Sequence, residues 1–280
     1  MELFFFLGGI VYFCDSYRKY IYKKIQRILV PYLLFGCISV VFKSIGGVAV
    51  NRGTPIADGL IKLIFNGGGY WFLYVMFMMY LIYPFIEKVI DSNEKKIIFV
   101  FLLIGIQLFA TMPSILCLEP FIYHLPYFIL GQVFAKTRLK YLVSNMSRNA
   151  MLTVEIFLAF IGVILVLFES SNIVIRYLRA LVLIVFLWIF VGKLVTSKDK
   201  ILRENYAIKF IDLCGKESLQ LYLFNGYIMT VLRYIICFTL NITNPFIIVL
   251  GIWVPDIIIT LLCCYFVKNI GKPLSTICGL

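Results

Sequence analysis

Long apolar segments follow one another through almost the whole chain, with short polar loops between them. Nine segments can be distinguished, at about Glu2–Cys14, Ile28–Gly46, Tyr70–Ile86, Ile97–Met112, Phe121–Ala135, Ala150–Phe168, Ile173–Gly192, Ser218–Leu240 and Pro245–Val267. A helix of about 20 residues crosses the hydrocarbon core of a bilayer, and most of the segments approach that length. Because a helix satisfies its own backbone hydrogen bonds in lipid, the segments are predicted to be transmembrane helices.

The composition agrees with a membrane protein and excludes the common soluble classes. Of the 280 residues, 62% are hydrophobic and 14% are charged, whereas a soluble domain is about 45–50% apolar and about 25% charged. Too little polar surface remains to cover a soluble globular domain. A disordered chain and a secreted disulfide scaffold are excluded as well. The prediction is an all-α, polytopic helical membrane protein with about nine transmembrane helices, in a single domain over residues 1–280.

The net charge of +12 is distributed unevenly between alternate loops. The richer set of loops contains the cations of Arg18–Arg27, Lys88–Lys96, Lys136–Arg148 and Lys193–Lys216, together with Lys268 and Lys272. The positive-inside rule makes these loops cytoplasmic. We therefore expect a multi-pass protein of the inner (plasma) membrane with a cytoplasmic C-terminus. The positive charge is assigned to topology and anionic lipid, and no nucleic-acid partner is expected.

A basic collar at Arg18–Arg27 holds five cations within ten residues. On an α-helix, Lys24 and Arg27 are three residues apart and share a face, as do Lys23 and Arg27 at a spacing of four. Cations that converge at a membrane surface are suited to bind phosphates. The alternative is that the collar only anchors the chain on the positive-inside side.

Three further groups of residues have two interpretations each. His124, the one histidine of the chain, is either a general base or a structural residue. The three glycines of Gly67–Gly69 are expected to let the chain bend sharply. Trp71, close behind them, either lines a sugar-binding cleft or belongs to an interfacial aromatic belt. Arg176 and Arg179 either bind an anionic carrier lipid or extend to the membrane surface.

Five sequence blocks, in order over almost the whole chain, resemble those of the membrane acyltransferase family (acyltransferase family 3), which O-acylates envelope polysaccharides. The blocks are FFFLGGIVYF, YIYKKIQRILVPYLLF, YWFLYVMFMMYLIYPFI, HLPYFILGQVFAK and GKESLQLYLFNGYIM. The resemblance implies a core of about ten helices, each long enough to span the bilayer. It also implies transfer of an acyl group, commonly acetyl, from acyl-coenzyme A to a hydroxyl of a cell-surface polysaccharide or lipid-linked sugar.

The resemblance also assigns expected roles to particular residues. Lys24 and Arg27 fall on the basic motif of the family, which makes the collar residues Lys19, Lys23, Lys24 and Arg27 candidates to bind the donor phosphates. Trp71, Tyr127 and Asn225 are candidates to shape the acceptor cavity. The implied partners are acyl-coenzyme A as donor substrate, a carbohydrate acceptor and membrane lipids. No bound cofactor and no metal are expected.

The chain departs from the family pattern at the expected base. The first helix of the family, with its arginine and its catalytic histidine, has no counterpart here, and Asn225 stands where a later block often has histidine. An amide takes no proton from a hydroxyl, so His124 becomes the candidate base. The Glu2–Cys14 segment is short for a membrane span, and the charge pattern predicts that it starts on the extracytoplasmic side. This arrangement favours a missing upstream helix. An inactive form remains open.

A role without catalysis also remains open, as a carrier-lipid translocase or a polymerase-like component of polysaccharide export. Arg176, Arg179 and Arg233 would then hold the anionic lipid, because charges inside membrane segments usually line a cavity or pair with a ligand.

Overall fold

The computed structural model describes residues 1–45, 55–110, 112–113, 115–137, 147–167, 172–196, 206–242 and 244–270. Within these ranges the regular structure is helical and no strand occurs. The α-helices are α1 (Glu2–Ile10), α2 (Tyr17–Lys24), α3 (Val30–Ile45), α4 (Ile56–Asn66), α5 (Trp71–Val89), α6 (Asn93–Phe109), α7 (Leu118–Lys136), α8 (Arg148–Leu167), α9 (Ile173–Thr196), α10 (Tyr206–Lys216), α11 (Ser218–Arg233) and α12 (Pro245–Ile270).

Short helical turns of other types join or extend these helices. A π-helical turn at Ile25–Leu29 makes α2 and α3 continuous, and a second π-helical turn at Tyr234–Thr239 extends α11. Turns of 3₁₀ type at Gly68–Tyr70 and Ile115–Cys117 precede α5 and α7. The predicted basic loops at residues 138–146 and 197–205 lie outside the described residues, as does Lys272.

The predicted fold class is confirmed: the chain is a polytopic helical membrane protein. Each of the nine predicted segments contains a helix. Among the described residues, six helical stretches are long and apolar enough to cross a membrane. They are Tyr17–Ile45, Ile56–Val89, Asn149–Leu167, Ile173–Gly192, Ser218–Thr239 and Pro245–Val267.

The three other predicted spans also form helices, but each is either too short or not apolar enough to be counted with these six. Helix α1 has nine residues and is about 14 Å long at about 1.5 Å per residue. Helix α6 has 17 residues. Helix α7 has 19 residues, but Glu119, His124 and Gln132 lower its apolar character.

The helices cluster into two compact units, each of which we describe by itself. Unit 1 consists of Met1–Asp15, Ile82–Ser114 and Leu118–Asn205. Unit 2 consists of Ser16–Leu81, Ile115–Cys117 and Tyr206–Leu280.

In unit 1, α1 crosses α7 at two glycines. A Cβ atom built at Gly131 of α7 would lie 2.0 Å from the backbone oxygen of Phe6, and one built at Gly9 of α1 would lie 1.9 Å from that of Phe128. Both distances are far shorter than a van der Waals contact, so the two backbones touch where neither helix has a side chain. Small residues permit such close helix packing inside membranes, where it takes the place of the hydrophobic effect.

A partly buried polar network joins α5, α6 and α7 in unit 1. The side chain of Lys96 on α6 is 2% exposed, and its Nζ lies 2.6 Å from Gln132 Oε1 and 3.4 Å from Glu87 Oε1. Glu87 Oε1 also accepts hydrogen bonds from Lys136 Nζ at 2.8 Å and from Gln132 Nε2 at 2.5 Å. The hydroxyl of Tyr83 donates to Gln132 Oε1. The network thereby ties α5, α6 and α7 together through one carboxylate.

In unit 2, α3 is the element on which α4 and α11 pack. The hydroxyl of Tyr32 donates to the backbone oxygen of Leu63 on α4 at 2.5 Å. On the side towards α11, the hydroxyl of Tyr227 donates to the backbone oxygen of Phe35 at 2.5 Å. The ring of Phe35 also packs edge-on against Phe224, with 5.1 Å between ring centroids. Helix α11 packs in turn against α12.

Replacing Gly131 with alanine should destabilise the protein, since the new methyl group overlaps the backbone of α1. We expect a loss of about 2–3 kcal/mol in the free energy of unfolding, measured as a lower melting temperature in detergent or nanodiscs. Gly105→Ala on α6 is the matched control, because a Cβ there has no neighbour within 4 Å. Equal melting temperatures for the two variants would contradict the close crossing of α1 and α7.

Lys95 and Lys96 provide a second matched pair, as neighbours on α6 with opposite exposure. Lys96→Met removes a buried charge-assisted hydrogen bond and should cost about 2 kcal/mol. Lys95 forms an exposed pair with Asp91, with 60% and 71% of the two side chains exposed, so Lys95→Met should change stability by less than about 0.5 kcal/mol. The melting temperatures of both variants test this difference, and a tolerant Lys96 position would show that the network does not stabilise unit 1.

Candidate functional site

The basic collar forms a continuous helix, but its cations have different surroundings. Lys19, Lys23 and Arg27 are exposed, whereas Lys24 is half-buried. The ammonium of Lys24 lies 3.8 Å from the ring centroid of Tyr80 and 5.4 Å from that of Tyr20, which is cation–π geometry. Three of the four predicted donor-binding cations therefore face outward, and the fourth is held against aromatic rings.

A π-helical turn, Ile25–Leu29, follows Lys24 and contains Arg27. Within it, the backbone N–H of Val30 donates to the oxygen of Ile25, five residues earlier. Such turns are rare and frequently occur at functional sites. Lys24 packs on Tyr80 and Arg27 is exposed. That the two cations share a face of the helix stays a prediction.

No carboxylate among the described residues forms an ion pair with Lys19, Lys23, Lys24 or Arg27. The exposed cations of the collar are thus not neutralised by the part of the chain that the structure describes. An exposed cluster of this kind attracts polyvalent anions such as phosphates.

His124 of unit 1 is 6% exposed and lies in an aromatic environment. Its Nδ1 is 2.7 Å from the backbone oxygen of Pro120, and its ring centroid is 4.4 Å from that of Phe5 and 4.8 Å from that of Tyr123. A carbonyl oxygen only accepts hydrogen bonds, so Nδ1 carries the proton and Nε2 is the basic nitrogen. This tautomer leaves Nε2 as the atom that would receive a proton in general-base catalysis.

The predicted cavity residue Tyr127 lies in the core of unit 1. Its side chain is completely buried and stacks on Tyr177 with 5.2 Å between centroids. The hydroxyl of Tyr177 donates to the backbone oxygen of Tyr123 at 2.8 Å, and the guanidinium of Arg176 lies 4.7 Å from the centroid of Tyr123. Tyr127 and Arg176 therefore belong to the aromatic cluster that surrounds His124.

Unit 2 contains a cavity of about 240 Å³ between α3, the 3₁₀ turn before α5, and α11. Its lining consists of Ser39, Phe42 and Lys43 from α3, Gly69 and Tyr70 from the 3₁₀ turn, and Tyr222, Asn225, Gly226, Tyr227 and Thr230 from α11. Asn225, a predicted cavity residue, is thus part of a cavity. Trp71, predicted with it, is half-buried beside the lining residue Tyr70 and is not itself part of this lining.

The glycines at the start of this turn have the backbone conformation that the sequence analysis expected. Gly67 has φ +69° and Gly68 has φ +53°, in the left-handed region that a side chain disfavours. The reversal directs the chain from α4 into α5 and places Tyr70 beside α11. There the hydroxyl of Tyr70 donates to the backbone oxygen of Leu223 at 2.9 Å.

Sequence reasoning missed most of the lining of this cavity. The clearest signal was a polar stripe on α11, where Tyr222, Gly226 and Thr230 recur every four residues within an apolar helix. Residues at that spacing lie on one face of a helix. A stripe of small and hydroxyl-bearing residues inside a membrane span usually faces protein or a cavity rather than lipid. Lys43 was missed because no local pattern marks it.

Comparison with known families identifies one that covers nearly the whole chain. The model described as an acyltransferase domain, acyltransferase family 3, matches residues 1–267. This range includes all of unit 1, most of unit 2, the basic collar, His124 and the complete cavity lining. No curated protein and no solved structure matches the chain.

Proposed function

The chain belongs to acyltransferase family 3 and is a multi-pass membrane protein, and from this premise we propose that it transfers an acyl group, acetyl in the first instance, from acyl-coenzyme A to a hydroxyl of a cell-surface polysaccharide or lipid-linked sugar. The observation that carries the proposal is the cavity of unit 2, where hydroxyl and amide groups and aromatic rings meet among membrane helices. Convergent polar groups beside aromatic rings are typical of a small-molecule site.

The basic collar is the proposed donor site. Coenzyme A carries several phosphate charges, and the exposed cations Lys19, Lys23 and Arg27 lie along one continuous helix without a carboxylate partner among the described residues. Lys24, packed on Tyr80, adds positive potential and fixes the collar on the aromatic face of α5. The proposal requires the collar to face the cytoplasm, where acyl-coenzyme A is present, and the positive-inside rule supports that orientation. It places the protein in the inner (plasma) membrane with a cytoplasmic C-terminus.

The cavity of unit 2 is the proposed acceptor site. Asn225 offers both a donor and an acceptor to sugar hydroxyls. The rings of Phe42 and Tyr227 meet edge to face at 5.6 Å, as those of Tyr70 and Tyr222 do at 5.8 Å, and such rings offer apolar surface to the C–H face of a sugar. In this way the walls combine apolar contact with a few directional hydrogen bonds.

The chemistry requires a base for the acceptor hydroxyl. As the hydroxyl oxygen attacks the thioester carbonyl, a C–O bond forms and the C–S bond breaks. The proton of the hydroxyl passes to a base, and the sulfur leaves as the thiolate of coenzyme A, which is then protonated. The candidate base remains His124, whose Nδ1 donates to the backbone oxygen of Pro120 and whose Nε2 is the basic nitrogen. This assignment is tested separately from the donor and acceptor sites.

The direct test of the proposed function is an acyl-transfer assay with the purified full chain in nanodiscs. Radiolabelled acetyl-coenzyme A and a saccharide extract of the cell envelope are supplied, and labelled saccharide is the expected product. Release of free acetate alone, or no reaction, counts against the proposal. Movement of a lipid-linked saccharide that depends on Arg176, Arg179 and Arg233 but not on the collar would instead favour the transport role.

Replacing Lys23 and Arg27 together with glutamine should weaken the binding of acyl-coenzyme A by tenfold or more, since two contacts to phosphate of about 1 kcal/mol each are lost. Isothermal titration calorimetry in nanodiscs measures the affinity, and the difference should shrink as salt is added. Lys88→Gln is the control: Lys88 is an exposed cation on the same predicted side of the membrane. Unchanged affinity in the double variant would exclude the collar as the donor site.

His124→Gln should lower kcat by about 10²–10⁴ while the affinity for acyl-coenzyme A stays at the level of the unmodified protein. Glutamine still offers an N–H to the backbone oxygen of Pro120 but provides no base. Single-turnover transfer and donor binding are measured in parallel, and the melting temperature monitors folding. A variant that folds and transfers the acyl group at the original rate would show that His124 is structural.

A further inference from the structure

Lys43 gives the cavity of unit 2 a positive charge without a counter-charge. It lies in the last turn of α3, and none of the ten lining residues is acidic. Among the described residues, no carboxylate lies within ion-pair distance of its ammonium. A cation beside a membrane cavity is costly unless an anion or water compensates it.

Gly69 keeps space open beside this ammonium. A Cβ atom built at Gly69 would lie 3.6 Å from Lys43 Nζ and would meet no other atom within 4 Å. The position next to the cation is thus occupied by backbone alone, and any longer side chain there would extend into the space that a ligand needs.

The hydroxyl groups of the lining complement the cation. The protons of Tyr70, Tyr227 and Thr230 are directed to backbone oxygens, those of Leu223, Phe35 and Gly226. Each of these hydroxyl oxygens has two lone pairs and can accept hydrogen bonds, from a ligand as well as within the Tyr70, Tyr227 and Ser39 cluster. Donors towards the ligand come from Lys43 and from the amide of Asn225. The complementary ligand carries several hydroxyl donors and one anionic group.

Building on the proposed function, we propose that the acceptor is an anionic saccharide, and that its carboxylate or phosphate pairs with Lys43 while its sugar hydroxyls donate to Tyr70, Tyr227 and Thr230. A carboxylate would belong to an acidic sugar of the polysaccharide, and a phosphate to a lipid-linked sugar. Both are anions that accept charge-assisted hydrogen bonds from an ammonium. The neutral sugar of the same size lacks this pairing and binds more weakly.

Binding of saccharide without any acyl donor tests the inference. The full chain is placed in nanodiscs of zwitterionic phosphatidylcholine and titrated with three probes: a uronic-acid oligosaccharide, the neutral oligosaccharide of equal length, and a polyprenyl-phosphate-linked sugar. At least one anionic probe should bind about tenfold more tightly than the neutral one, the effect of one charge-assisted hydrogen bond. Preference for the uronic acid assigns the anion to the sugar, and preference for the phosphate assigns it to the lipid carrier.

Lys43→Met should remove this preference: the affinity for the anionic probe should fall about tenfold, and the affinity for the neutral probe should change little. Lys43→Arg keeps the charge and should retain the preference. Lys62→Met is the matched control, since Lys62 lies on α4, is exposed and is not part of the cavity lining. Equal affinity of the unmodified protein for all three probes, or an unchanged preference in Lys43→Met, overturns the inference.

A second variant tests whether the saccharide occupies this cavity. Gly69→Leu fills the space beside Lys43 and should weaken the binding of the anionic and neutral probes alike. Lys43→Met should weaken the binding of the anionic probe only. Normal binding in both variants places the saccharide elsewhere and overturns the inference. Absence of acyl transfer in the labelled assay leaves the binding result intact, so failure of the proposed function is distinguishable from failure of this inference.

Discussion

The contact on which unit 1 depends is the crossing of two backbones at Gly9 and Gly131. Burying apolar side chains against each other contributes little inside a bilayer, because lipid tails are as apolar as the side chains. Close van der Waals contact and hydrogen bonds must hold the helices instead. The two glycines allow α1, which has nine residues, to lie directly on α7. The ring of Phe5 is thereby brought against His124, so the same crossing determines the environment of the candidate base.

Three lysines in apolar surroundings illustrate different ways to compensate a buried or half-buried charge. Lys96 lies beside the carboxylate of Glu87 and the amide of Gln132, and the pair is part of the packing of unit 1. Lys24 lies over the ring of Tyr80, where the negative face of the ring replaces a carboxylate. Lys43 has neither kind of partner among the described residues, and the compensation proposed for it is a ligand. The contrast is the physical basis for treating Lys43 as a binding residue and Lys96 as a structural one.

The candidate sites were predictable to different degrees. The basic collar was recognisable because charge density in an apolar chain is a local property, and Lys19, Lys23 and Arg27 are exposed as expected. The π-helical turn at Ile25–Leu29 and the packing of Lys24 on Tyr80 were not recognisable, because both depend on contacts beyond the charge pattern. Asn225 was identified through a family resemblance and lines a cavity. Tyr127 was assigned by the same route and lies in the buried aromatic cluster of unit 1, because the position of a residue on its helix does not reveal what packs against it.

The amino-acid sequence by itself determined the helical, membrane-embedded character of the chain and the positions of its apolar helices, whereas α2, α4 and α10 lie outside the nine predicted segments. Both follow from hydrophobicity and from the need to satisfy backbone hydrogen bonds within each segment. It also determined the turn at Gly67–Gly68, where only the local backbone matters. Tertiary structure decided which polar residues meet. Lys43, Tyr70 and Tyr227 are distant in sequence and line one cavity because α3, the 3₁₀ turn and α11 pack together. That packing depends on side-chain shape and on contacts between helices, which a pattern along one helix does not contain.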